Sequence, residues 1–279
     1  MWRFTRLSLL ALAFLGAANE TSILDPQRYV EFVILLGYLG TFVYYLFIIH
    51  GGREVYLRPL PGLDALNEAV GRATEMGKPL MFVNGLRGLD SISTIAAVNI
   101  LGLVAQRVAE YETPLVVANV DPVVYAAERE VVRDAFTRAG KPDAFSPDMV
   151  RFLAATQFAY TAATCGLMVR LQPATILLMG YFYAESLILA ETGASVGAIQ
   201  IAATDALTQL PFFVAACDYT LIGEELYAAS AYLSREPHQL GSIKAQDFLK
   251  FIAAGTILLG YLETALLGTQ RIWHILVTY

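Results

Sequence analysis

Polar and glycine residues gather at the places where a short apolar run gives way to a helix. They are Asn84, Gly85, Arg87, Gly88 and Asp90; Asn119 and Asp121; Thr156 and Gln157; Gly180, Tyr181 and Glu185; Thr204 and Asp205; and Gly223, Glu224 and Glu225. Three chemistries are open to such a set. Carboxylates at Asp90, Asp121, Glu185, Asp205, Glu224 and Glu225 can hold a hard metal ion or act as acid and base. Helix N-termini beside Gly85, Gly88, Gly180 and Gly223 can offer backbone N–H groups to a phosphate or carboxylate, with Arg87 as counter-charge. The third is purely structural: acidic residues in a helix's first turn meet the positive end of its dipole. Glu185, Asp205, Glu224 and Glu225 fit that description equally well.

Several familiar devices are missing. The loop after the first apolar run has only Gly85 and Gly88, so it lacks the G-x-G-x-x-G of a dinucleotide site, and Asp121 lies farther on than the usual acidic partner. No phosphate-binding P-loop motif occurs. The histidines, His50, His238 and His274, are near membrane boundaries rather than run tips, which argues against a Ser-His-Asp device or a histidine metal site. Cys165 and Cys217 lie in apolar helical stretches without C-x-x-C spacing and read as core thiols. No cofactor and no metal is assigned. Net charge is −6 and no basic block is interleaved with aromatics, so nucleic acid is not an expected partner.

The elements that must position these residues follow from the alternation of patterns. Strands are predicted at 79–83, 114–118, 149–155, 174–180, 198–202 and 219–222. Between them lie helices at 91–111, 123–139, 158–171 and 182–191, one opened by Thr204-Asp205, and one from Glu224. A leading helix spans 63–76, and Ser91 is placed to cap the helix after it. The charged helix 123–139, with Glu128, Arg129, Glu130, Arg133 and Asp134, is predicted to face solvent. Short apolar strands alternating with helices indicate α/β architecture: a doubly wound, mainly parallel Rossmann-like sheet of about six strands. Ligands in such sheets bind at the carboxyl ends of the strands, where the polar set falls.

The chain is 56% hydrophobic and 16% charged, and the apolar excess is concentrated. Residues 29–50 and 249–268 each approach the roughly 20 residues that cross a bilayer. Leu7–Ala18, after Arg3 and Arg6, reads either as a signal peptide or as a short anchor. Arg53, Arg58, Arg235, Lys244 and Lys250 flank the two long runs on one side, so the positive-inside rule puts residues 51–248 in the cytoplasm. Residues 1–28 then form the signal-like segment and outer loop, and 269–279 a short tail. Glu263, inside the second run, is expected to pair with Arg28 or to reach toward Gln270 and Arg271. The bilayer is the expected partner, with self-association or a membrane complex as further options. Ile92–Val108, a long apolar helix, would suit a structural subunit if it were left uncovered.

Leu221–Leu233 (LIGEELYAASAYL) and Gln239–Asp247 (QLGSIKAQD) resemble an uncharacterised family of prokaryotic integral membrane proteins, filed as a domain of unknown function. The resemblance runs from about Leu36 to Leu267 and includes Ala69–Gly85 and Gly180–Glu191. Gly180, Glu185, Glu191, Gly223, Glu224, Glu225, Gln246 and Asp247 are the family-like positions. Family members carry more glycine in the loop corresponding to Asn84–Asp90. The resemblance implies a membrane-anchored α/β architecture and no particular mechanism.

Overall fold

The computed structural model describes residues 29–50, 61–234 and 237–267. Its elements are α1 (Tyr29–His50), α2 (Pro61–Met76), β1 (Leu80–Asn84), α3 (Ile92–Glu110), β2 (Leu115–Asn119), α4 (Pro122–Arg138), β3 (Val150–Phe152), α5 (Gln157–Leu171), β4 (Thr175–Met179), α6 (Glu185–Ser195), β5 (Ile199–Thr204), α7 (Leu210–Ala216), β6 (Tyr219–Ile222), α8 (Glu225–Ser234) and α9 (Pro237–Leu267). The described residues fall in two compact units: one within residues 61–240, the other combining α1 with the part of α9 from Gly241 on.

The first unit is α/β. Its six strands are all parallel and lie in the order β3-β2-β1-β4-β5-β6, the order of doubly wound nucleotide-binding sheets. Every residue of β1, β2 and β4 is buried, because helices cover both faces and leave no solvent side for polar alternation. Leu80 and Phe82 point into a core shared with α2, α3, α4 and α8. Met81 and Val83 point the other way, into a core shared with α5, α6 and α7. The chain builds outward from β1 to β3, then returns to lay β4 beside β1. That reversal puts the later crossover helices on the opposite face and creates a topological switch between β1 and β4.

Five strands lie within two residues of their predicted bounds. The third is shorter: β3 has three residues instead of seven, preceded by two short 3-10 turns at 142–144 and 147–149. It is an edge strand that pairs with β2 at only three positions. Predicted helix 182–191 starts later, at Glu185, and α7 begins five residues beyond Asp205 rather than at it. Ser91 occupies the N-cap position of α3 but makes no capping bond; its hydroxyl pairs with that of Ser93 instead.

Among the described residues, two helices are long and apolar enough to cross a membrane, Ile92–Glu110 and Pro237–Leu266, while α1 contributes a shorter apolar stretch, Ile34–Ile49. The first is α3, largely buried in the α/β core, so it is not left uncovered for a partner. In the second unit, α1 and the later part of α9 expose large apolar side chains, with Phe47 at 76% and Phe251 at 77%. Within that unit the Tyr38 and Ser242 hydroxyls lie 3.2 Å apart, and Gly241 sits against Leu46. Residues 1–28, 51–60, 235–236 and 268–279 lie outside the described residues, and with them the signal-like segment, the Arg28, Gln270 and Arg271 partners expected for Glu263, and the flanking arginines at 53, 58 and 235.

One backbone contact at the switch point is tight enough to test. A Cβ on Gly85 would lie 2.4 Å from the Tyr181 nitrogen and 2.5 Å from its oxygen, both of them backbone atoms that cannot swing aside. Gly85→Ala should therefore destabilise the unit by about 2–3 kcal/mol. Gly71→Ala, in helix α2 with open space around it, should stabilise by about 0.5–1 kcal/mol. Urea unfolding of the detergent-solubilised chain, followed by circular dichroism, distinguishes the two.

Candidate functional site

The site is built by loops that leave the switch-point strands. After β1, the Gly85 N–H donates to Met179 O at 2.9 Å and the Leu86 N–H to Tyr181 O at 2.8 Å. The loops after β1 and β4 are thus zipped together by their backbones. Gly180 adopts a φ of +118°, open to glycine and rarely to other residues, and its N–H donates to Ala203 O. The Gly223 N–H donates to Thr204 O. Gly85 and Gly180 therefore serve close packing, whereas Gly223 has open space around it and answers a φ of +59°; the N–H groups of all three already have acceptors. Gly88 differs: it sits against the Asp90 carboxylate, with Asp121 close by.

Above this zipper stands Arg87, exposed to solvent. Its guanidinium lies 4.0 Å from the centre of the Tyr181 ring, a cation–π contact. Tyr181 packs edge-on against Tyr183 at 5.0 Å. A side-chain hydrogen bond to Tyr183 is the main influence holding the guanidinium in its charged form, and Asp205 adds a smaller attraction. Asp205, at the end of β5, accepts a hydrogen bond from the Tyr227 hydroxyl through Oδ2 at 2.5 Å. Its other oxygen, Oδ1, is buried without a partner. Burial, then the hydrogen bond and charge of Asp205, push the Tyr227 hydroxyl's pKa upward, while Arg87 pulls it down. No ion pair joins Arg87 to Asp205.

The other carboxylates are engaged separately. Asp121 Oδ1 caps α4, accepting from the N–H groups of Val123 and Val124. Glu185 is buried, accepting from the Tyr183 N–H and from the Gln157 amide. Glu225 reaches back from the first turn of α8 to the Ile222 N–H. Asp205 stands clear of any helix start, so the capping role available to it in sequence is not the one it plays. Glu224 is exposed at the far side of the sheet, beside Gly223. Among the described residues no three His, Cys, Asp or Glu side chains are grouped to hold a metal ion.

Beneath the zipper runs a buried polar chain that sequence reasoning did not assemble. Glu128 is fully buried, not solvent-facing as its charged neighbours suggest. It falls with Val124 and Val132 on the apolar stripe of α4, spaced i, i+4, i+8, and that spacing is legible in the sequence. Its Oε2 accepts from the Asn119 amide at 2.6 Å, and Asn84 donates to Asn119 Oδ1 at 3.4 Å. Asn84 Oδ1 and Glu128 Oε1 are left without partners. From the opposite face of the sheet, the Tyr160 hydroxyl lies 2.8 Å from Asn84 O and 3.0 Å from Ala118 O. It ties together the ends of β1 and β2. Burial raises the Tyr160 pKa well above its usual value, with Glu128 adding to the shift.

Comparison with known families adds one finding. The chain matches the family described as "Domain of unknown function (DUF6754)" over residues 19–274. It belongs to that family. No curated protein and no solved structure matches it. The DUF6754 match takes in the α/β unit and both helices of the other unit.

Burial pushes Glu128 from a usual 4.5 to about 8, opposed only in part by the Asn119 hydrogen bond. The folded state therefore keeps a proton that the unfolded chain releases above its own carboxyl pKa. The resulting stability is fully present below about pH 4.5 and is lost as pH rises toward 8, at up to about 1.4 kcal/mol per pH unit. Glu128→Gln, neutral throughout and able to accept from Asn119, should remove this slope and be the more stable protein at pH 8. Urea midpoints across pH 5–8 for both proteins give the answer.

Proposed function

We propose that this is a membrane-anchored protein whose Rossmann-like α/β domain binds a small polar ligand at the β1/β4 switch, with an anionic group of the ligand against Arg87. The supporting observation is the presentation of Arg87. An exposed arginine normally samples many rotamers, yet this one is laid on the Tyr181 ring, with Tyr183 packed against that ring, directly above the strand edge where such sheets take their ligands. Because the Gly85, Gly180 and Gly223 N–H groups already have acceptors, the guanidinium supplies the charge that a phosphate-binding loop would otherwise provide. The individual engagement of Asp121, Glu185 and Glu225 favours binding over carboxylate-based hydrolysis or group transfer.

The anchor is read from α1 and α9. Both carry apolar side chains outward over most of their length, a surface that suits lipid and not water. The polar start of α9, with Lys244 and Asp247 paired at 3.5 Å, gives way to an apolar run from Phe251, as a helix entering a bilayer would. Lys244 and Lys250, just before the apolar run, support a cytoplasmic side for the α/β domain through the positive-inside rule.

Titration of the full chain in nanodiscs with inorganic phosphate and with acetate, followed by tyrosine fluorescence, tests the binding reading. Saturable binding is expected with Kd on the order of 1 mM for such small probes, weakened at least tenfold in Arg87→Gln. Binding that Arg87→Gln leaves intact, or no binding of either anion, would contradict it.

A further inference from the structure

Arg87 and Asp205 are opposite charges that influence each other electrostatically and still do not pair. Each is held by a tyrosine instead: Arg87 by the Tyr181 ring, itself packed on Tyr183, and Asp205 by the Tyr227 hydroxyl. A flexible arginine next to a free carboxylate would ordinarily close the gap. Here the tyrosines keep the two charges apart, and Asp205 engages Tyr227 with one oxygen only. The other, Oδ1, is shielded from water and has nothing to accept from. Leaving a buried acceptor empty costs on the order of 1–3 kcal/mol, so the place is suited to a donor that arrives from outside.

A second orphaned acceptor lies on the same face of the sheet. Asn84 is 1% exposed, and its Oδ1 has no partner. That oxygen would be 3.5 Å from a Cβ on Gly180, which puts it beside the β4 loop that carries Tyr181. Side-chain alternation along β1 puts Asn84 on the side of Leu80 and Phe82, facing α3 and α8. Tyr227, on α8, packs against that same core. Two unpartnered oxygens and one positioned guanidinium thus share one layer, above β1, β4 and β5.

Resting on the binding function proposed above, we propose that the ligand is a small zwitterion, a free amino acid in chemical class, with its carboxylate on Arg87 and its ammonium donating to Asp205. An anion alone would leave the Asp205 oxygen empty and would face a like charge. A cation alone would leave Arg87 unanswered. A molecule carrying both groups a few bonds apart meets both needs, and a second ammonium proton is available to Asn84. The ring faces of Tyr181 and Tyr183 provide apolar contact for a short carbon chain.

The test uses the full chain in nanodiscs and pairs each free amino acid of a panel with the carboxylate that lacks its amine: alanine with propionate, glycine with acetate. At least one amino acid should bind ten times or more tightly than its partner. In Asp205→Asn, which keeps an acceptor for Tyr227 and removes the like charge that a carboxylate faces, the amino acid should bind at least about threefold more weakly than to the unaltered chain, while propionate and acetate bind at least as tightly as before. Carboxylates binding as tightly as their amino acids, with Arg87→Gln weakening both, would overturn the zwitterion and leave the Arg87 site standing. Retention of the advantage in Asp205→Asn would also overturn it. Loss of all Arg87-dependent binding would remove both readings together. Circular dichroism of Asp205→Asn confirms that the variant is folded.

Discussion

Two backbones in contact set the terms for this structure. Where β1 and β4 lie side by side, the chain leaves each strand with a glycine, and Gly85 and Gly180-Tyr181 come too close for any side chain between them. In a dinucleotide-binding sheet this is the place where the crevice opens and a glycine loop receives a pyrophosphate. Here the same glycines zip the two loops shut, with N–H groups of one spent on carbonyls of the other. A closed floor has two consequences. The Gly85, Leu86 and Gly180 N–H groups are not left to bind an anion there, and side chains projecting from the floor become the recognition surface. Arg87 and Tyr181 are within two residues of the contact and take their positions directly from it.

Under that floor the energetics are less comfortable. Asn84, Asn119 and Glu128 are buried together where an apolar core would be more stable, and Glu128 is kept neutral by the cost of burying its charge. Their hydrogen bonds orient the last residues of β1 and β2, and Tyr160 fastens the corresponding carbonyls from the other face. Polar networks of this kind are worth having when geometry matters more than stability. The residues being held are those immediately before the loop that carries Arg87.

Much of the architecture was legible in advance. Continuous apolar runs such as Leu80–Val83 and Thr175–Met179 can only be strands covered on both faces, and turn residues such as Gly77 and Gly140 mark where helices stop; Gly193, read as the stop of the helix from 182, lies inside α6. β3 was over-read, because Leu153 and Ala154 extend an apolar pattern that an edge strand with one neighbour does not have to follow. Candidate residues at the strand ends were correctly located as a class, since that depends only on alternation. Their roles were not. Whether Gly85 cradles an anion or packs on Gly180 depends on which strand lies beside β1, and strand order is a long-range property. The link between Arg87, Asp205 and Tyr227 joins three segments spread over 140 positions and leaves no local signal. Glu128 is the instructive miss: its charged neighbours suggested solvent, while its spacing with Val124 and Val132 pointed to the core.

The zipper between the two switch-point loops is the claim on which the site's geometry rests, and amide hydrogen exchange of the full chain in nanodiscs addresses it directly. If the Gly85 and Leu86 N–H groups are bonded as described, they should exchange at strand-like rates, at least about 100-fold more slowly than the exposed Asp90 in the same loop. Exchange of Gly85 and Leu86 at the rate of Asp90 would mean that the crevice is open, and the account of Arg87 as the site's anchored charge would fall with it.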